Sequence, residues 1–405
     1  MENTRAVTPD IIWVGGDDRR LALFENLFPL ENGVTYNAYL LRDEKTALLD
    51  TVDASISQQF IENLLYALDG RTLDYLVIGH MEPDHCANIT EIRRLFPEVV
   101  LVGNAKTFQL IQQFYCLDIS SGTLTVKEGD TLSLGKHTLQ FIMAPMVHWP
   151  EVMFTYEISQ GLLFSADAFG TFGGFTGNLF SDEMDYAGRL MGEARRYYTN
   201  IVGKYGPQVQ AVLRKAAGLT LNMICPLHGP VLRGAGIGLM LEKYQAWSTY
   251  TPEEEGVLIA YASMYGHTAN AASLLASALA ERGVRNIEIY DVSKTHCSTI
   301  IAEGFRLSHW VLAAPTYNMG LYGPMETVLR DMKALCLQNR KVAILANGSW
   351  APAAHTIMQE MVGAMKGMEI LGEPMLIRSA LHSEDMPRIN ALADAILASM
   401  APQPN

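Results

Sequence analysis

The segment LDYLVIGHMEPDH (residues 73–85) begins as an apolar run typical of a buried β-strand and ends in a cluster of polar side chains. Residues i, i+2 and i+4 of an extended or turning segment project to one side, so His80, Glu82 and Asp84 can face one space. His85 lies at the corner of that space. Burying two carboxylates this close together is costly unless a cation neutralises them. The segment therefore predicts a metal site at the end of a strand.

Three further polar side chains occur where later apolar runs end, and the ends of strands can converge on one cleft. They are His148 in APMVHWP, Asp167 in LFSAD and His228 in CPLHGP. Taken singly, each histidine is more often structural and the aspartate a turn residue, but all of them together favour a metal centre. Seven ligands imply two metals. Histidines with carboxylates suit iron or manganese, and zinc also accepts them.

The composition narrows the class of protein. Lys and Arg total 30 against 43 Asp and Glu, and the net charge of −13 argues against a nucleic-acid or anionic-membrane surface. The five cysteines include no CxxC pair, so a disulfide framework, a thiolate zinc site and an iron–sulfur cluster are not expected. No signal peptide and no apolar run of about 20 residues is visible, so we expect a cytoplasmic protein that does not enter the membrane.

The sequence pattern changes near Pro252, where a short acidic linker separates two regions. Before it, from about Ile11 to Phe180, short strands and turns with occasional helices indicate an α/β sandwich with mixed sheets. After it, strands and helices alternate strictly, which predicts a doubly wound parallel sheet of five strands in the flavodoxin-like order. We expect domains at residues 1–250 and 254–402.

Individual elements follow from local periodicity and turn signals. A hairpin is expected around the charged turn Arg42–Lys45, and the last parallel strand at residues 374–381. His137 lies in the turn LGKHT, where we expect it to be solvated. The helices predicted before the linker are Ser55–Leu68, Thr90–Leu95, Ala105–Phe114 and a long span from Asp182 to about Ala217.

Three loops follow strands of the second region and carry polar, small and aromatic residues. The first, SMYGHT, combines hydroxyl side chains and a glycine with a helix N-terminus, which is a cradle for phosphate, although an ordinary capped turn has the same pattern. It has no lysine after the glycine and no GxGxxG, so neither a P-loop nor a dinucleotide fingerprint is supported. A ligand of an open α/β sheet lies outside the carboxyl ends of the strands, where these loops meet. The residues expected to bind it are Ser263, Met264, Tyr265, Gly266, His267, Thr268, Pro315, Thr316, Tyr317, Asn318, Gly320, Asn347, Gly348, Ser349 and Trp350.

The series HxExDH…H…D…H resembles that of the metallo-β-lactamase superfamily, whose usual motif is HxHxDH, and Glu82 in place of the second histidine is typical of flavodiiron proteins. The loops SMYGHT and APTYNMG resemble the FMN loops of that family, whereas NGSWAP departs from its usual GSYGW. The resemblance covers nearly the whole chain. It implies a metallo-β-lactamase-like αββα sandwich followed by a flavodoxin-like doubly wound five-stranded parallel sheet, with FMN and two non-haem iron ions as cofactors.

The resemblance also assigns the ligands. It implies that His80, Glu82 and His148 hold the iron nearer the flavin, that Asp84, His85 and His228 hold the other iron, and that Asp167 bridges them. Tyr197 matches a position near the iron pocket of the family, which makes it the candidate catalytic residue. Many members carry a histidine near residue 25 that reaches toward this pocket, and the corresponding stretch here, LFENLFP (23–29), has none.

The activity implied by the resemblance is that of an oxidoreductase. Such a protein reduces dioxygen to water and/or nitric oxide to nitrous oxide, with electrons that pass through FMN to the diiron centre. Rubredoxin or a similar small protein would be the donor, and a head-to-tail homodimer, or a dimer of such dimers, would be the assembly. Two alternatives stay open at this point. One is a dizinc hydrolase with a flavin-binding accessory domain, which Glu82 disfavours, and the other is an electron carrier with a structural metal site.

Overall fold

The computed structural model describes residues 2–400, and the chain divides into two compact units between Gln245 and Ala246. The division falls within the helix Ala235–Ser248, so the last residues of that helix belong to the second unit. The end of the second domain predicted at residue 402 lies outside the described residues. Among residues 2–400, no helix is both long enough and apolar enough to span a bilayer.

The first unit contains two mixed β-sheets. In spatial order, the first sheet consists of Arg5–Ala6, Ile11–Trp13, Tyr39–Arg42, Thr46–Leu49, Tyr75–Val77, Val100–Gly103 and Thr123–Thr125. The second sheet consists, in order, of Thr131–Ser133, Thr138–Met143, Met153–Glu157, Leu162–Phe164, Met223–Cys225 and Leu232–Arg233. Two small antiparallel pairs are Gly16–Asp18 with Val34–Tyr36, and Leu23–Phe24 with Phe28–Pro29.

The main core of this unit lies between the two sheets. Leu41, Leu49 and Val77 of the first sheet share one buried cluster with Phe141 and Phe164 of the second. Because side chains alternate along a strand, the opposite face of the first sheet carries its own buried residues, against which helices pack. The architecture is the predicted αββα sandwich. The predicted hairpin turn joins the third and fourth strands of the first sheet.

The helices of the first unit agree with the sequence prediction apart from one span and the short helix Pro83–Cys86, which was not predicted. They are Ser57–Leu68, Pro83–Cys86, Ile89–Leu95, Ala105–Phe114, Tyr186–Arg189, Met191–Tyr197, Gly206–Ala216 and Ala235–Ser248. The long helix predicted from Asp182 to Ala217 is wrong, because the span is broken into short helices and a π-helical turn, Tyr198–Val202. Glycines lower the helix propensity of this span. Pro207 lies in the first turn of a new helix, Gly206–Ala216, because proline is tolerated in the first turn of a helix and not in its interior. Tyr197 directly precedes the π-helical turn, a feature frequent at functional sites.

The turn that carries His137 is buried, so the expectation of a solvated side chain is wrong. Nδ1 of His137 lies 3.0 Å from Oε1 of the buried Glu157. The main-chain N–H of His137 donates to Oδ2 of Asp43 at 2.7 Å. The N–H of Lys45 donates to the carbonyl of Leu134, so this turn packs against the first hairpin. The local sequence could not reveal this packing, because the hairpin is distant in the chain.

The second unit is a parallel sheet with helices between its strands. Its main strands, in spatial order, are Ile287–Asp291, Glu254–Tyr261, Leu307–Tyr317, Lys341–Asn347 and Met375–Ile377. Two shorter strands, Gly320–Leu321 and Glu369–Ile370, pair with the third and fourth of these in spatial order. The helices are His267–Glu281, Cys297–Arg306, Gly323–Ala334, Ala354–Gly363 and Met386–Ser399. All adjacent main strands are parallel, which is the predicted doubly wound order.

The fifth strand is shorter than the span predicted at residues 374–381. Pro374 has no N–H to donate, and the strand begins after it, at Met375. Ser379 has a φ of +68°, so the extended backbone has ended by that residue. The side-chain amide of Asn347 donates to the carbonyl of Ser379 at 3.0 Å. The loop after the fifth strand is thereby held at the carboxyl end of the fourth.

A buried histidine in the sheet predicts a pH dependence of the stability of the second unit. His309 is 1% exposed, with Nδ1 2.7 Å from Oγ of Ser308 and Nε2 2.9 Å from Oγ of Ser399. Burial, with a smaller contribution from Lys341, lowers the pKa of His309 from 6.5 to about 4. The unfolded chain therefore binds more protons than the folded chain in this interval. The stability of the folded state with a neutral His309 is therefore fully present above pH 6.5, and it is lost progressively as the pH falls toward 4.

We expect the wild-type chain to lose on the order of 1 kcal/mol more stability between pH 7 and pH 5 than the His309→Gln variant. Chemical unfolding at the two pH values measures the difference. The exposed His382, replaced in the same way, provides the matched control. Equal losses in the wild type and the His309→Gln variant contradict the prediction.

Candidate metal centre and cofactor cavity

The first strand-end motif is held in place by a buried aspartate. Oδ1 of Asp50 accepts the N–H of Gly79 at 2.7 Å and the N–H of His80 at 3.2 Å. A Cβ at Gly79 would lie 2.9 Å from the carboxylate of Asp50 and 3.0 Å from the carbonyl of Met153, so only glycine fits there. The short helix Pro83–Cys86 follows and carries Asp84 and His85, the last two polar side chains of the motif. These contacts fix the direction in which the motif leaves the sheet.

Seven side chains with metal-binding atoms form two adjacent groups in the first unit. One group consists of His80, Glu82, His148 and Asp167, and the other of Asp84, His85 and His228. Each residue offers one ligand atom, and the ligand atoms of a group all lie within 4.8 Å of one another. In the first group, Nε2 of His148 lies 3.0 Å from Oε2 of Glu82 and 3.1 Å from Oδ2 of Asp167. In the second group, Nε2 of His85 and of His228 lie 3.4 and 3.3 Å from Oδ2 of Asp84.

Asp167 lies between the two groups and presents one oxygen to each. Its Oδ2 is 3.1 Å from Nε2 of His148 and 3.6 Å from Nε2 of His80. Its Oδ1 is 3.0 Å from Nε2 of His85 and 3.7 Å from Nε2 of His228. A carboxylate shared in this way has the arrangement of a bridge between two cations.

The second nitrogen of two of these histidines is held by a separate partner. Nδ1 of His228 donates to the carbonyl of Thr35 at 2.7 Å, and Nδ1 of His80 lies 2.8 Å from Oε1 of Glu151. Glu151 is fully buried and also accepts the N–H of Met81 at 2.9 Å. Such partners fix the tautomer of a metal-binding histidine and leave the lone pair of Nε2 toward the metal.

The electrostatics of the cluster indicate that it needs cations. Burial opposes charge on His80, yet Asp167 and Glu151 hold the pKa of its imidazole well above the ordinary value. Burial likewise opposes charge on Asp167, but His85 and His80 hold the pKa of that carboxyl well below its ordinary value. A proton on His80 thus balances the neighbouring carboxylates, and a bound metal ion would replace that proton.

The donor atoms fit a pair of metal ions. Among residues 2–400, Nε2 of His80 and both carboxylate oxygens of Asp84 are buried without a hydrogen-bond partner. Orphaned polar atoms of this kind are rare in protein interiors and indicate a missing partner. Four imidazoles and three carboxylates form a nitrogen and oxygen set, which suits iron, manganese or zinc and not a metal that requires thiolates.

Aromatic side chains cover the cluster on the side of His228. The ring of Phe24 meets that of His228 edge-on at 5.2 Å, and Phe24 also packs against Phe172. Tyr197 is fully buried, and its ring centroid is 5.5 Å from that of His228. The Tyr197 hydroxyl has no hydrogen-bond partner among the described residues. The predicted catalytic tyrosine therefore lies beside the cluster.

The second unit has a cavity of about 560 Å³ at the carboxyl ends of its strands. Its lining is formed by Ser263, Met264, Tyr265, His267, Thr268, Pro315, Thr316, Asn318, Met319, Asn347, Gly348, Ser349, Trp350, Ala351 and Ser379. Gly266 has a φ of +93° at the start of the helix His267–Glu281, and its N–H donates to Oγ of Ser263 at 3.1 Å. Left-handed backbone at this point favours glycine. His267 and Thr268, the first residues of this helix, line the cavity, so an anion in it would face the positive end of the helix.

Comparison with known proteins identifies both units. Residues 34–229 match the model of the ODP family of beta lactamases, and residues 259–385 match the flavodoxin model. A nitric oxide reductase from Moorella thermoacetica is 32% identical over 99% of this chain and 100% of its own length. The structure of rubredoxin oxygen:oxidoreductase from Desulfovibrio gigas has a TM-score of 0.92 and 27% identity, covering 98% of each chain. The flavodiiron protein of Giardia intestinalis has the same fold, with a TM-score of 0.89, 23% identity and 98% coverage of each chain.

The chain belongs to the flavodiiron proteins. It is accordingly an oxidoreductase with a metallo-β-lactamase-like unit and a flavodoxin-like unit, as the sequence predicts. The flavodoxin unit implies FMN, and the first unit contains a site capable of binding metal.

The structure of this flavodiiron protein brings together nearly all the residues singled out from the sequence. All seven predicted metal ligands lie in the two groups joined at Asp167. Twelve of the fifteen predicted cofactor residues line the cavity. Gly266, Tyr317 and Gly320 belong to the same loops but do not line it. Met319, Ala351 and Ser379 line it without having been predicted, although the strand-end rule applied to the fifth strand could have found Ser379.

Glu25 is a site residue that the sequence prediction missed. It follows Phe24 at the tip of a tight hairpin, where its φ is +51°, and the N–H of Leu27 donates to the carbonyl of Phe24. The residue as a whole is exposed, but its carboxyl group lies close to that of Glu82. Burial of that carboxyl and the charge of Glu82 raise the pKa of Glu25 to about 8. Bound cations would lower this pKa.

Proposed function

We propose that this flavodiiron protein reduces dioxygen to water and/or nitric oxide to nitrous oxide at a non-haem diiron centre, with electrons that pass through FMN. The observation that supports the proposal most directly is Asp167, which presents one oxygen to each of two groups of ligand atoms. The relatives with matching length carry names for both reactions, nitric oxide reductase and rubredoxin oxygen:oxidoreductase.

The residues proposed to hold the two irons are those of the two groups. His80, Glu82 and His148 would hold one iron, Asp84, His85 and His228 the other, and Asp167 would bridge them. Two ferrous ions and reduced FMN would together supply four electrons, which matches reduction of dioxygen to two waters, and two electrons match the coupling of two nitric oxide molecules.

The chain's own side chains prepare the site for this chemistry. Glu151 and the carbonyl of Thr35 orient the imidazoles of His80 and His228. Phe24 and the buried ring of Tyr197 cover His228 and exclude water from that side. Both reactions consume protons, and the hydroxyl of Tyr197, whose pKa is held well above its ordinary value by burial, is a protonated group beside the ligands.

The proposed flavin site is the cavity of the second unit. Its loop Ser263–Thr268 and helix N-terminus suit the phosphate, and Trp350, which is 84% exposed, offers a ring for stacking. We propose rubredoxin or a similar small protein as the donor, since the chain itself has no CxxC pair. We further propose a head-to-tail homodimer or a dimer of such dimers. Tyr265, Met319 and Trp350 are large exposed side chains at the cavity that a protein contact would cover.

Anaerobic turnover with a reduced donor tests the proposed function. Protein loaded with iron and FMN receives stoichiometric reduced rubredoxin and then either dioxygen or nitric oxide, and gas consumption and flavin oxidation are followed together. We expect consumption of at least one gas, with loss of that activity when iron is removed by chelation. Two tightly bound zinc ions with hydrolytic activity and no gas consumption would instead support the dizinc hydrolase. Flavin turnover that survives iron removal would support an electron carrier.

The carboxylate of Glu151 contacts Nδ1 of His80, so we expect metal binding to weaken when the charge of Glu151 is removed. Glu151→Gln keeps the shape of the side chain but presents a neutral amide to Nδ1 of His80. We expect iron affinity to fall about 10-fold to 100-fold, the usual loss for such partners. Iron retention during dialysis against a graded chelator measures the effect.

Glu157→Gln is the matched control for this variant. Glu157 is also a fully buried carboxylate, and it lies 3.0 Å from Nδ1 of a histidine, His137, that belongs to neither ligand group. We expect its iron retention to equal that of the wild type. Equal iron retention in the Glu151→Gln variant and the Glu157→Gln control contradicts the role of Glu151.

A further inference from the structure

The helix Pro83–Cys86 carries two of the proposed metal ligands, Asp84 and His85, and is a single turn of four residues. A helix this short is not stable by itself in water, because its first turn fixes several residues for one hydrogen bond. The carbonyls of its last turn also have no partner within the helix. The directions of the Asp84 and His85 side chains therefore depend on donors outside the short helix.

Two residues that are remote in sequence supply these donors. Thr51 donates its N–H and its hydroxyl to the carbonyl of His85 at 2.9 and 2.8 Å. The hydroxyl of Tyr115 donates to the carbonyl of Cys86 at 2.9 Å, and its oxygen lies 3.2 Å from Sγ of Cys86. The thiol of Cys86 in turn donates to the carbonyl of Met81 at 3.2 Å. Tyr115 thereby holds the residue that directly follows His85.

Tyr115 follows the helix Ala105–Phe114, and this helix end reaches the other ligand group through aromatic rings. Phe114 stacks on Trp149 with 6.4 Å between the ring centroids, and Trp149 meets the imidazole of His80 edge-on at 5.4 Å. Phe114 also lies against the ring of Tyr115, at 6.1 Å. Phenylalanine in place of Tyr115 keeps the ring and removes only the hydroxyl. This change therefore separates the support of one ligand group from that of the other.

The proposal rests on the proposed function, because it takes the two ligand groups as the site of two iron ions. We propose that Tyr115 is a positioning residue for the iron held by Asp84, His85 and His228. Its hydroxyl fixes the main chain at Cys86 and acts on the two ligands of the short helix without being a ligand itself. The imidazole of His228 comes from a different loop, so the hydroxyl of Tyr115 determines how well the two parts of this group converge.

Loss of this hydroxyl is expected to weaken the binding of one iron and not of the other. Ligand atoms bind a metal tightly only when they are held within about 0.5 Å of the required geometry. Without the hydroxyl, the carboxyl end of the short helix loses one of its two external supports. His80 and Glu82 precede the short helix, and His148 lies on another loop. We therefore expect the iron of that group to keep its affinity.

Graded removal of iron from the full-length, iron-loaded protein tests the proposal. The protein is equilibrated with increasing concentrations of a chelator, and iron-edge anomalous diffraction from crystals treated in the same way shows which ion has left. For Tyr115→Phe we expect the iron beside Asp84 and His85 to bind about fivefold more weakly than in the wild type, the effect of one neutral hydrogen bond. The affinity of the iron beside His80 should change less than twofold.

Tyr156→Phe is the matched control. The hydroxyl of Tyr156 also donates to a main-chain carbonyl at 2.9 Å, that of Thr220, and neither residue belongs to a ligand group. We expect this variant to release both iron ions at the same chelator concentrations as the wild type. The comparison separates the position of the Tyr115 hydroxyl from the general effect of removing a tyrosine hydroxyl.

Three results overturn the proposal. The first is a Tyr115→Phe variant that retains both iron ions as the wild type does. The second is equal weakening of both ions, because the hydroxyl then supports the unit as a whole and not one ligand group. The third is the same selective loss in the Tyr156→Phe control. These results leave the diiron centre in place. If the wild type binds no iron at the two groups, the proposed function fails together with the role of Tyr115.

Discussion

Asp167→Ala is expected to abolish gas reduction, with a loss of at least about 10³-fold, and to leave at most one metal ion per chain. The carboxylate presents Oδ2 to His148 and Oδ1 to His85, so its removal takes a donor from both ligand groups at once. It also removes a negative charge that stabilises two nearby cations in a buried site. The other two carboxylates of the cluster, Glu82 and Asp84, each belong to one group only.

Metal content by elemental analysis and gas consumption by electrode measure this effect on the same preparations. Asp167→Asn is the sharper variant, because it keeps the volume of the side chain and removes one of the two anionic oxygens. Asp118→Ala is the control, since Asp118 is exposed and only caps the turn to Ser120. An Asp167→Ala protein that retains two metal ions contradicts the bridging role.

Arg340→Ala is expected to destabilise the second unit by about 3 kcal/mol or more, since truncating a buried, hydrogen-bonded charge typically costs that much. Arg340 is 1% exposed, and its guanidinium donates to the carbonyls of Tyr250, Gly304 and Phe305 at 2.7 to 2.9 Å. Burial lowers the pKa of Arg340 to about 9, so the group stays charged at neutral pH. Alanine removes these donors from buried main chain and leaves a cavity.

Urea unfolding followed by release of FMN measures the stability of the unit. Arg388→Ala is the matched control, because Arg388 pairs with Asp385 at the surface, and exposed pairs contribute about 1 kcal/mol or less. We expect the Arg340→Ala midpoint to fall well below that of the control. Midpoints of the two variants within error of each other contradict the role of Arg340.

The residues proposed to bind the metal ions and the flavin were predictable because they lie at the ends of strands. The periodicity of apolar residues predicts where each strand ends. Polar side chains directly after an apolar run interrupt the buried pattern and so stand out as candidate ligands. His80, Glu82 and Asp84 were found in this way, and the same rule located the cofactor loops. The resemblance to a family then supplied what the pattern left open, namely the pairing of ligands and the bridging place of Asp167.

The supporting residues could not be predicted because their partners are remote in sequence. Glu151 reaches His80 from 71 positions away, and the carbonyl of Thr35 reaches His228 across 193. Glu25 contacts Glu82 through a hairpin whose direction depends on two residues with positive φ. The burial of His137 depends on a hairpin packed from another part of the sheet. In each case the tertiary contact, and not a local pattern, decides the role.

The most direct test of the account is iron-edge anomalous diffraction from crystals of the iron-loaded protein, with data at the zinc edge for comparison. We expect two iron peaks in the first unit. One should lie beside His80, Glu82 and His148, and the other beside Asp84, His85 and His228, with the carboxylate of Asp167 between them. A single iron peak, or two peaks that appear at the zinc edge alone, would contradict it.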